Sequence, residues 1–418
     1  MRSPTPAAAF LLSTLLLAAC GPGDIYLPPD GGDAGTDGGS GDAGTDGGSD
    51  GGTSGREYLP ADRLRYGVVS HPRDAAGADS NVWHVFTVDT DGTITGTTRT
   101  FQMGRASEGE VAFTPDGEIG IAPLLTGGVG VFKLDADGTP TVIHTALDVG
   151  YPNQVVMGHR GERAWTIDFQ WEEHGGGIHE LAIGADDSVT YVGRIMEGRS
   201  LGQMHLLPGR DEALVGGGAV NAVYDDADLF HIDLSVSPPA LIQSIDLFGD
   251  EGCWASALAL TPDERFVLMA DNNMLGTGHR VGIARFGTDG LLTALPAVPQ
   301  PPAFIEDPTG IHPSPSGGRI AVLASFGEAL HSLTWDATQA DGAFAHEGLA
   351  PGGNLGGQLP QGSVMIERGS LAGRILVAEY QHLHAFQHEA DGTLTDHGRV
   401  ALDAGSPPLT LGAIGIQP

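Results

Sequence analysis

The sequence predicts an all-β protein, a seven-bladed β-propeller with four-stranded blades, and two observations support this fold class. Short turns, most of them rich in Asp and Gly, recur at residues 91, 137, 187, 238, 289, 341 and 391, separated by 46, 50, 51, 51, 52 and 50 residues. Each turn lies between alternating apolar and polar runs, and no long helical pattern is present. A near-constant period is typical of repeat architectures, and four strands in about 50 residues is the plan of a propeller blade.

Within each unit, two more strands precede the turn-flanked pair, as in "ALALTPDERFVLMA" (257–270). First strands are predicted to begin near Glu110, Gln154, Gln203, Ala257, Gly310 and Ser363, with the seventh in "LTLGAIGIQ" (409–417). The N-terminal part of the body starts with a second strand at residues 64–71. We therefore expect the C-terminal strand to join the N-terminal blade and close the ring, which removes unpaired sheet edges.

The first 57 residues predict export and a tether. Residues 1–19 form a signal peptide whose apolar stretch, 7–19, is too short to span a bilayer. The sequence "LAACG" at 17–21 resembles the lipobox of bacterial lipoproteins, which implies cleavage before Cys20 and lipidation of its thiol. Residues 20–57 are then a lipidated cysteine and a disordered linker, and residues 58–418 are the propeller.

The linker contains a nine-residue unit written twice, "GDAGTDGGSGDAGTDGGS" at 32–49. Its alternative reading is a calcium-binding β-roll, but the position that should be apolar holds Gly39 and Gly48, and such coils need about three or more turns. A composition of Gly, Asp, Ser and Thr buries almost nothing and favours a flexible spacer. The anchor and spacer predict a cell-envelope protein attached to a membrane, the outer membrane rather than the inner one.

The charge balance excludes some partners. The net charge is −33, with Lys+Arg 20 against Asp+Glu 53, which argues against nucleic acid as a partner. Of the two cysteines, Cys20 belongs to the lipobox and Cys253 has no partner, so no internal disulfide is expected. We expect a monomer.

Residues 260–273 followed by 280–298 resemble a blade of the lactonase-type propellers, the 6-phosphogluconolactonase-like and YVTN-repeat group. The resemblance extends over all seven units as a pattern of turns, alternation and length. It implies the propeller fold and a lactonase-like activity. It transfers no catalytic residue, because the enzyme subgroup carries a G-P-R-H segment and its nearest counterpart, residues 307–312, contains no arginine.

In a propeller, the loops that enter first strands and the loops that join second to third strands share one rim around the central channel. This rim is where function is expected. The predicted ligand-binding residues on it are Glu108, Glu110, Gln154, Arg199, Gln203, Asp271, Asn273, Glu306, Asp307, Gln361 and Glu379.

A divalent metal is considered at two places. Glu172, His174 and His179 lie in a Gly-rich loop, and His382 and His384 share one face of an alternating strand. His and carboxylate groups at such spacings are metal ligands. The competing interpretations are a solvated acidic loop and polar packing between blades.

Two functions remain open at this level, and the sequence favours the first, because it contains no recognisable catalytic set and a lipid anchor suits an assembly factor. The first is a binding or scaffolding module for a protein, peptide or glycan. The second is a lactonase-like hydrolase that uses rim carboxylates; no catalytic residue is identified from the sequence. Channel carboxyl groups with raised pKa values favour the enzyme, and a broad exposed apolar patch favours a protein partner.

Overall fold

The computed structural model describes residues 55–74, 76–106, 109–168, 175–218, 227–249, 253–272, 280–298, 308–325, 327–356, 360, 362–402 and 411–418. These ranges belong to one compact unit, Thr53–Pro418. Within them the regular structure consists of strands alone, arranged as seven antiparallel four-stranded sheets. The predicted fold class is confirmed. Over the same ranges, no helix has the length and apolar character needed to cross a membrane.

In chain order the strands are β1 Arg65–Arg73, β2 Asp79–Val88, β3 Ile94–Gln102, β4 Ala112–Phe113, β5 Ile119–Pro123, β6 Val129–Leu134, β7 Pro140–Leu147, β8 Pro152–Met157, β9 Arg163–Asp168, β10 Gly177–Ile183, β11 Val189–Ile195, β12 Leu201–Leu206, β13 Glu212–Gly217, β14 Leu229–Asp233, β15 Ala240–Ile245, β16 Ala255–Leu260, β17 Phe266–Asp271, β18 Arg280–Phe286, β19 Leu292–Leu295, β20 Pro308–Pro313, β21 Arg319–Ala324, β22 Ala329–Thr334, β23 Ala345–Asn354, β24 Gly362–Ile366, β25 Arg374–Ala378, β26 His382–His388, β27 Leu394–Ala401 and β28 Ile414–Ile416.

The sheets are the blades of a ring. Blade 1 has the order β28-β1-β2-β3, and blades 2 to 7 take the remaining strands in successive groups of four, from β4 to β27. The first strands of successive blades contact one another all the way round, in the order β28, β4, β8, β12, β16, β20, β24 and back to β28. These seven strands therefore line a central channel.

The C-terminal strand closes the ring as the sequence predicts. Strand β28 pairs antiparallel with β1, with Ile414 opposite Val69 and Ile416 opposite Gly67. Beyond it, the side-chain amide of Gln417 donates to Gly117 O at 2.7 Å, in the turn after β4. The two ends of the described chain are thus held together and joined to blade 2.

The recurring Asp and Gly turns join third to fourth strands. In the first of them, Gly92 N donates to Asp89 O and Asp89 N donates to Thr93 O, both at 2.9 Å. Gly92 has φ +84°, a conformation that glycine adopts without the steric cost of a Cβ. The Asp91 carboxylate accepts from Thr93 N at 2.8 Å. Local turn chemistry is therefore enough to fix these hairpins.

Apolar side chains fill the spaces between neighbouring blades. One cluster joins Phe266, Leu268 and Ile283 of blade 5 to Ile320 and Leu333 of blade 6. Equivalent clusters lie between the other blades. Removal of this apolar surface from water is the main stabilising term of the ring.

Residues 55–62 form an N-terminal strap across the face opposite the predicted rim. Arg56 N donates to Arg160 O at 2.9 Å, in the turn after the first strand of blade 3. The Asp62 carboxylate accepts from Ser370 N at 2.6 Å, in the equivalent turn of blade 7. The strap therefore connects blades on different sides of the channel.

Candidate functional site

The structure describes about half of the residues predicted to bind a ligand or metal. Glu110, Gln154, Arg199, Gln203, Asp271, Glu379, His179, His382 and His384 are described. The remainder lie outside the described residues: Cys20, Glu108, Glu172, His174, Asn273, Glu306, Asp307 and Gln361.

Asp271 is a buried part of the scaffold. Its Oδ1 accepts from Trp254 N at 2.9 Å, and its Oδ2 accepts from Arg280 Nε and Nη2 at 3.1 and 2.9 Å. Burial raises the pKa of Asp271 to about 6, against the lowering effect of these hydrogen bonds. Asp168 has the same role in blade 3, where it accepts from Tyr151 N at 3.3 Å. In both blades the carboxylate that ends the second strand holds the entry of the first strand.

Glu379 is also engaged within its own blade. Its Oε1 lies 2.8 Å from His384 Nδ1, and Arg399 donates to both of its carboxylate oxygens, at 2.6 and 3.1 Å. Burial alone raises the pKa of Glu379, but the hydrogen bonds from His384 and Arg399 outweigh it, and the pKa lies below its usual value. Glu379 is therefore an ionised structural group joining β25, β26 and β27.

His384 has no free ring nitrogen for a metal. Its Nε2 lies 2.8 Å from Asp396 Oδ1, while its Nδ1 faces Glu379. His179, in blade 3, has Nε2 at 3.6 Å from Asp168 Oδ2. Across the part of the chain that the structure describes, no three His, Cys, Asp or Glu side chains converge as a metal site.

Two of the other predicted residues make contacts within and between blades. The Oε1 atom of Gln154 accepts from Met204 N of the next blade at 2.7 Å. The guanidinium of Arg199 lies over the Phe230 ring, 5.0 Å from its centroid. These contacts explain polar residues at the rim without a ligand.

Glu110 differs from these residues because its carboxyl group faces the channel. Its backbone bridges Ile414 of blade 1, and Val111 N donates to Ile414 O at 2.8 Å. Val111 packs in the apolar core, so the alternation of an extended chain directs the preceding side chain to the opposite side. The Glu110 side chain is exposed, although the protein around it desolvates its carboxyl group.

A second carboxyl group, that of Glu367, acts on Glu110 from further along the channel. Burial raises the pKa of Glu110 to about 8, and the negative charge of Glu367 contributes in the same direction. Glu367 directly follows the inner strand β24, and burial raises its pKa too, while His159 opposes the rise. Two interacting carboxyl groups with raised pKa values share the channel, so at least one of them holds a proton at neutral pH.

Two histidines lie at the same end of the channel as Glu367. His205 lies on β12, two residues after Gln203. Burial lowers the pKa of His205 to about 4, and His159 of the neighbouring blade adds to the effect. Glu110 and Gln203 are predicted from the sequence, whereas Glu367, His159 and His205 are not, because these three follow or end inner strands away from the predicted rim.

The inner strands of blades 6 and 7 bring a serine against a histidine. Ser363 Oγ lies 2.7 Å from His312 Nε2, and both side chains are 9% exposed. Burial, with a further contribution from His388, lowers the pKa of His312 to about 3. His312 is thus neutral at pH 7, and a hydrogen bond joins its Nε2 to the Ser363 hydroxyl.

This pair lies in the same stretch of the channel as Glu110. A Cβ on Gly362 would lie 2.9 Å from Gly109 O and 3.4 Å from Gly412 O, so the entries of three inner strands touch at glycines. Ser363 and Glu110 each follow one of these glycines. The part of the channel at the entries of these inner strands therefore combines the Ser363 hydroxyl, the neutral His312 imidazole and the protonated Glu110 carboxyl group.

Comparison with known proteins supports the fold. No family model and no curated protein sequence matches the chain. Among solved structures, a putative 6-phosphogluconolactonase from Bacteroides fragilis is 15% identical with TM-score 0.62, covering 84% of this chain and 98% of its own. The periplasmic gluconolactonase of Pseudomonas aeruginosa is 16% identical with TM-score 0.60, covering 83% and 98%. A Lactobacillus plantarum protein is 14% identical with TM-score 0.62, covering 84% and 99%. At this identity the similarity establishes the seven-bladed propeller fold, shared with proteins of the 6-phosphogluconolactonase and gluconolactonase type.

Proposed function

We propose that the protein is a hydrolase that opens a lactone in its central channel, with Glu110 as the proton donor. The observation that carries this proposal is the interacting pair Glu110 and Glu367, whose pKa values are both raised. Perturbed carboxyl groups in a cleft are typical of acid–base catalysis. We prefer this function to the binding role that the sequence alone favoured, because carboxyl groups with raised pKa values in the channel favour an enzyme over a binding module.

The chemistry of lactone opening fits a protonated carboxyl group. When the acyl C–O bond of the ring breaks, the ring oxygen leaves as an alkoxide unless a proton reaches it. A carboxyl group with a pKa near 8 is mostly protonated at pH 7 and yet acidic enough to donate. Glu110 would supply this proton, and water would supply the hydroxyl group of the released carboxylic acid.

The solved structures give independent support of a weaker kind. Two of the proteins with this fold are described as a putative 6-phosphogluconolactonase and a periplasmic gluconolactonase. Sugar and aliphatic lactones are therefore the first substrates to test. The phosphorylated ones are disfavoured, because a chain with net charge −33 repels anions.

We also propose that the protein is attached to a membrane through a lipid anchor. The lipobox-like sequence ending at Cys20 and the acidic linker support a lipid-anchored enzyme of the cell envelope, on the outer rather than the inner membrane. Export to this compartment is consistent with extracellular or periplasmic lactones as substrates. A protein or glycan partner is not needed for this function.

The test is hydrolysis of a lactone panel by the full-length protein in detergent, followed by release of the hydroxy acid. We expect Glu110→Gln to lower kcat/KM about 100-fold or more, the usual contribution of a general acid. Glu118→Gln is the matched control, since Glu118 forms a surface ion pair with Lys133 at 3.2 Å and lies outside the channel. Turnover that survives in Glu110→Gln at the wild-type rate would exclude this role.

A further inference from the structure

We propose that Ser363 is a nucleophile activated by His312, and that hydrolysis proceeds through an ester on the Ser363 hydroxyl. This inference rests on the proposed hydrolase function and adds a covalent step to it. It depends on a contact between two blades, because the two residues are 51 positions apart and lie on neighbouring inner strands, β20 and β24.

The geometry of the pair is that of a nucleophile and its base. The separation of 2.7 Å between Ser363 Oγ and His312 Nε2 is within the range required for proton transfer. The backbone of His312 is held from its other side, where its carbonyl lies 3.0 Å from His388 Nε2. The strand segment that carries the base is therefore held by a contact from blade 7.

Glycine at position 310 leaves space for the contact between Ser363 and His312. Gly310 precedes His312 by two residues on the same strand, and a Cβ there would lie 2.5 Å from Ser363 Oγ and 3.2 Å from His312 Nε2. Glycine at 310 therefore permits the hydroxyl and the imidazole to meet. Its backbone φ does not require glycine, so close approach is the reason for this residue.

The same position in a neighbouring blade lacks a base. Ser256 is the second residue of β16, as Ser363 is of β24, and its hydroxyl donates to Pro308 O. A hydroxyl that donates to a carbonyl is not activated as a nucleophile. Blade 7 alone combines the serine with an imidazole among the first strands that the structure describes, and Ser256 provides a matched comparison.

The proposed reaction balances in two steps. In the first, the Ser363 hydroxyl proton passes through His312 to solvent while Oγ bonds to the acyl carbon; the ring C–O bond breaks, and the ring oxygen takes the proton of Glu110. In the second, water adds its oxygen to the acyl carbon and gives a proton to Glu110. The bond from the acyl carbon to Oγ then breaks, and Oγ takes a proton back from solvent through His312. Nothing is oxidised or reduced, and both groups return to their starting states.

An alkyl fluorophosphonate tests the nucleophile without a lactone. Attack by Oγ on phosphorus expels fluoride and leaves a stable adduct, which intact mass and peptide mapping detect on the full-length protein. We expect one equivalent on Ser363, no adduct in Ser363→Ala, and labelling slowed at least 100-fold in His312→Gln. Ser256→Ala should label as the wild type does, and circular dichroism of each variant confirms that the fold is kept.

The outcomes separate the two proposals. An enzyme that hydrolyses lactones but acquires no adduct on Ser363, or acquires it equally fast in His312→Gln, overturns the nucleophile and leaves the hydrolase function standing. Labelling of Ser363 without lactone hydrolysis keeps the nucleophile and overturns the lactone as substrate. In an enzyme with both properties, Ser363→Ala should lower kcat about 1,000-fold or more, with KM little changed.

Discussion

The most direct test of the channel chemistry is the pH dependence of hydrolysis. A proton donor with a pKa of about 8 is about 90% protonated at pH 7, whereas a glutamic acid with its ordinary pKa is only about 0.3% protonated there. If Glu110 alone determines the pH profile, we expect kcat/KM to be constant between about pH 6 and 7 and to fall tenfold per pH unit above pH 8. The sign follows from the role: the donor works only while it holds its proton.

The assay measures the hydroxy acid by chromatography, with the spontaneous hydrolysis of the lactone at each pH subtracted. Glu110→Gln should remove the alkaline limb along with most of the rate. Glu367→Gln should move the limb to lower pH, because it removes the negative charge that helps to raise the pKa of Glu110. The limb should stay above the ordinary glutamate value in this variant, since burial is the larger cause. An alkaline limb that is the same in wild type and Glu367→Gln would refute the coupling.

Four further outcomes are expected. Gly310→Ala should abolish labelling of Ser363 by the phosphonate, because the new Cβ occupies the contact, while Gly193→Ala, with open space around it, should be neutral. Deletion of residues 411–418 should abolish cooperative thermal unfolding measured by circular dichroism. The deletion removes three buried aliphatic side chains worth about 1.5–3 kcal/mol each, against a total stability of about 5–15 kcal/mol. Glu379→Gln should lower the urea-unfolding free energy by about 3–5 kcal/mol, since it leaves buried partners of the carboxylate unpaired. Cys20→Ser should abolish incorporation of labelled palmitate and release the protein from membranes; membrane retention of this variant would contradict the anchor.

The architecture was predictable because its signals are local and repeated. A turn such as Asp89–Gly92 is determined by a few neighbouring residues, and seven such turns at one period leave few alternatives to a propeller. The pairing of the last strand with the first blade also followed from counting strands. These predictions needed no knowledge of which side chains meet across the ring.

The site was predictable only in part because polar residues at a rim have two uses. Asp271 and Glu379 fit the pattern of ligand-binding carboxylates, but they hold backbone amides and an arginine or histidine of their own blade. The sequence does not distinguish a carboxylate that fastens a strand from one that faces water. Glu110 was correctly placed at the start of an inner strand, whereas its coupling to Glu367 depends on the width of the channel.

A signal for the serine and histidine pair was nevertheless present in the period. Residues one blade apart occupy the same level of neighbouring blades, so a separation of about 50 residues predicts contact. The structure shows this for Met204 with Gln154, for Leu292 with Gln243 and for Ser256 with Pro308, at separations of 50, 49 and 52 residues. Ser363 and His312, at 51, follow the same rule. In a propeller, then, catalytic residues should be sought among residues about one blade period apart before they are sought in contiguous motifs. The absence of a contiguous catalytic motif therefore does not argue against an enzyme.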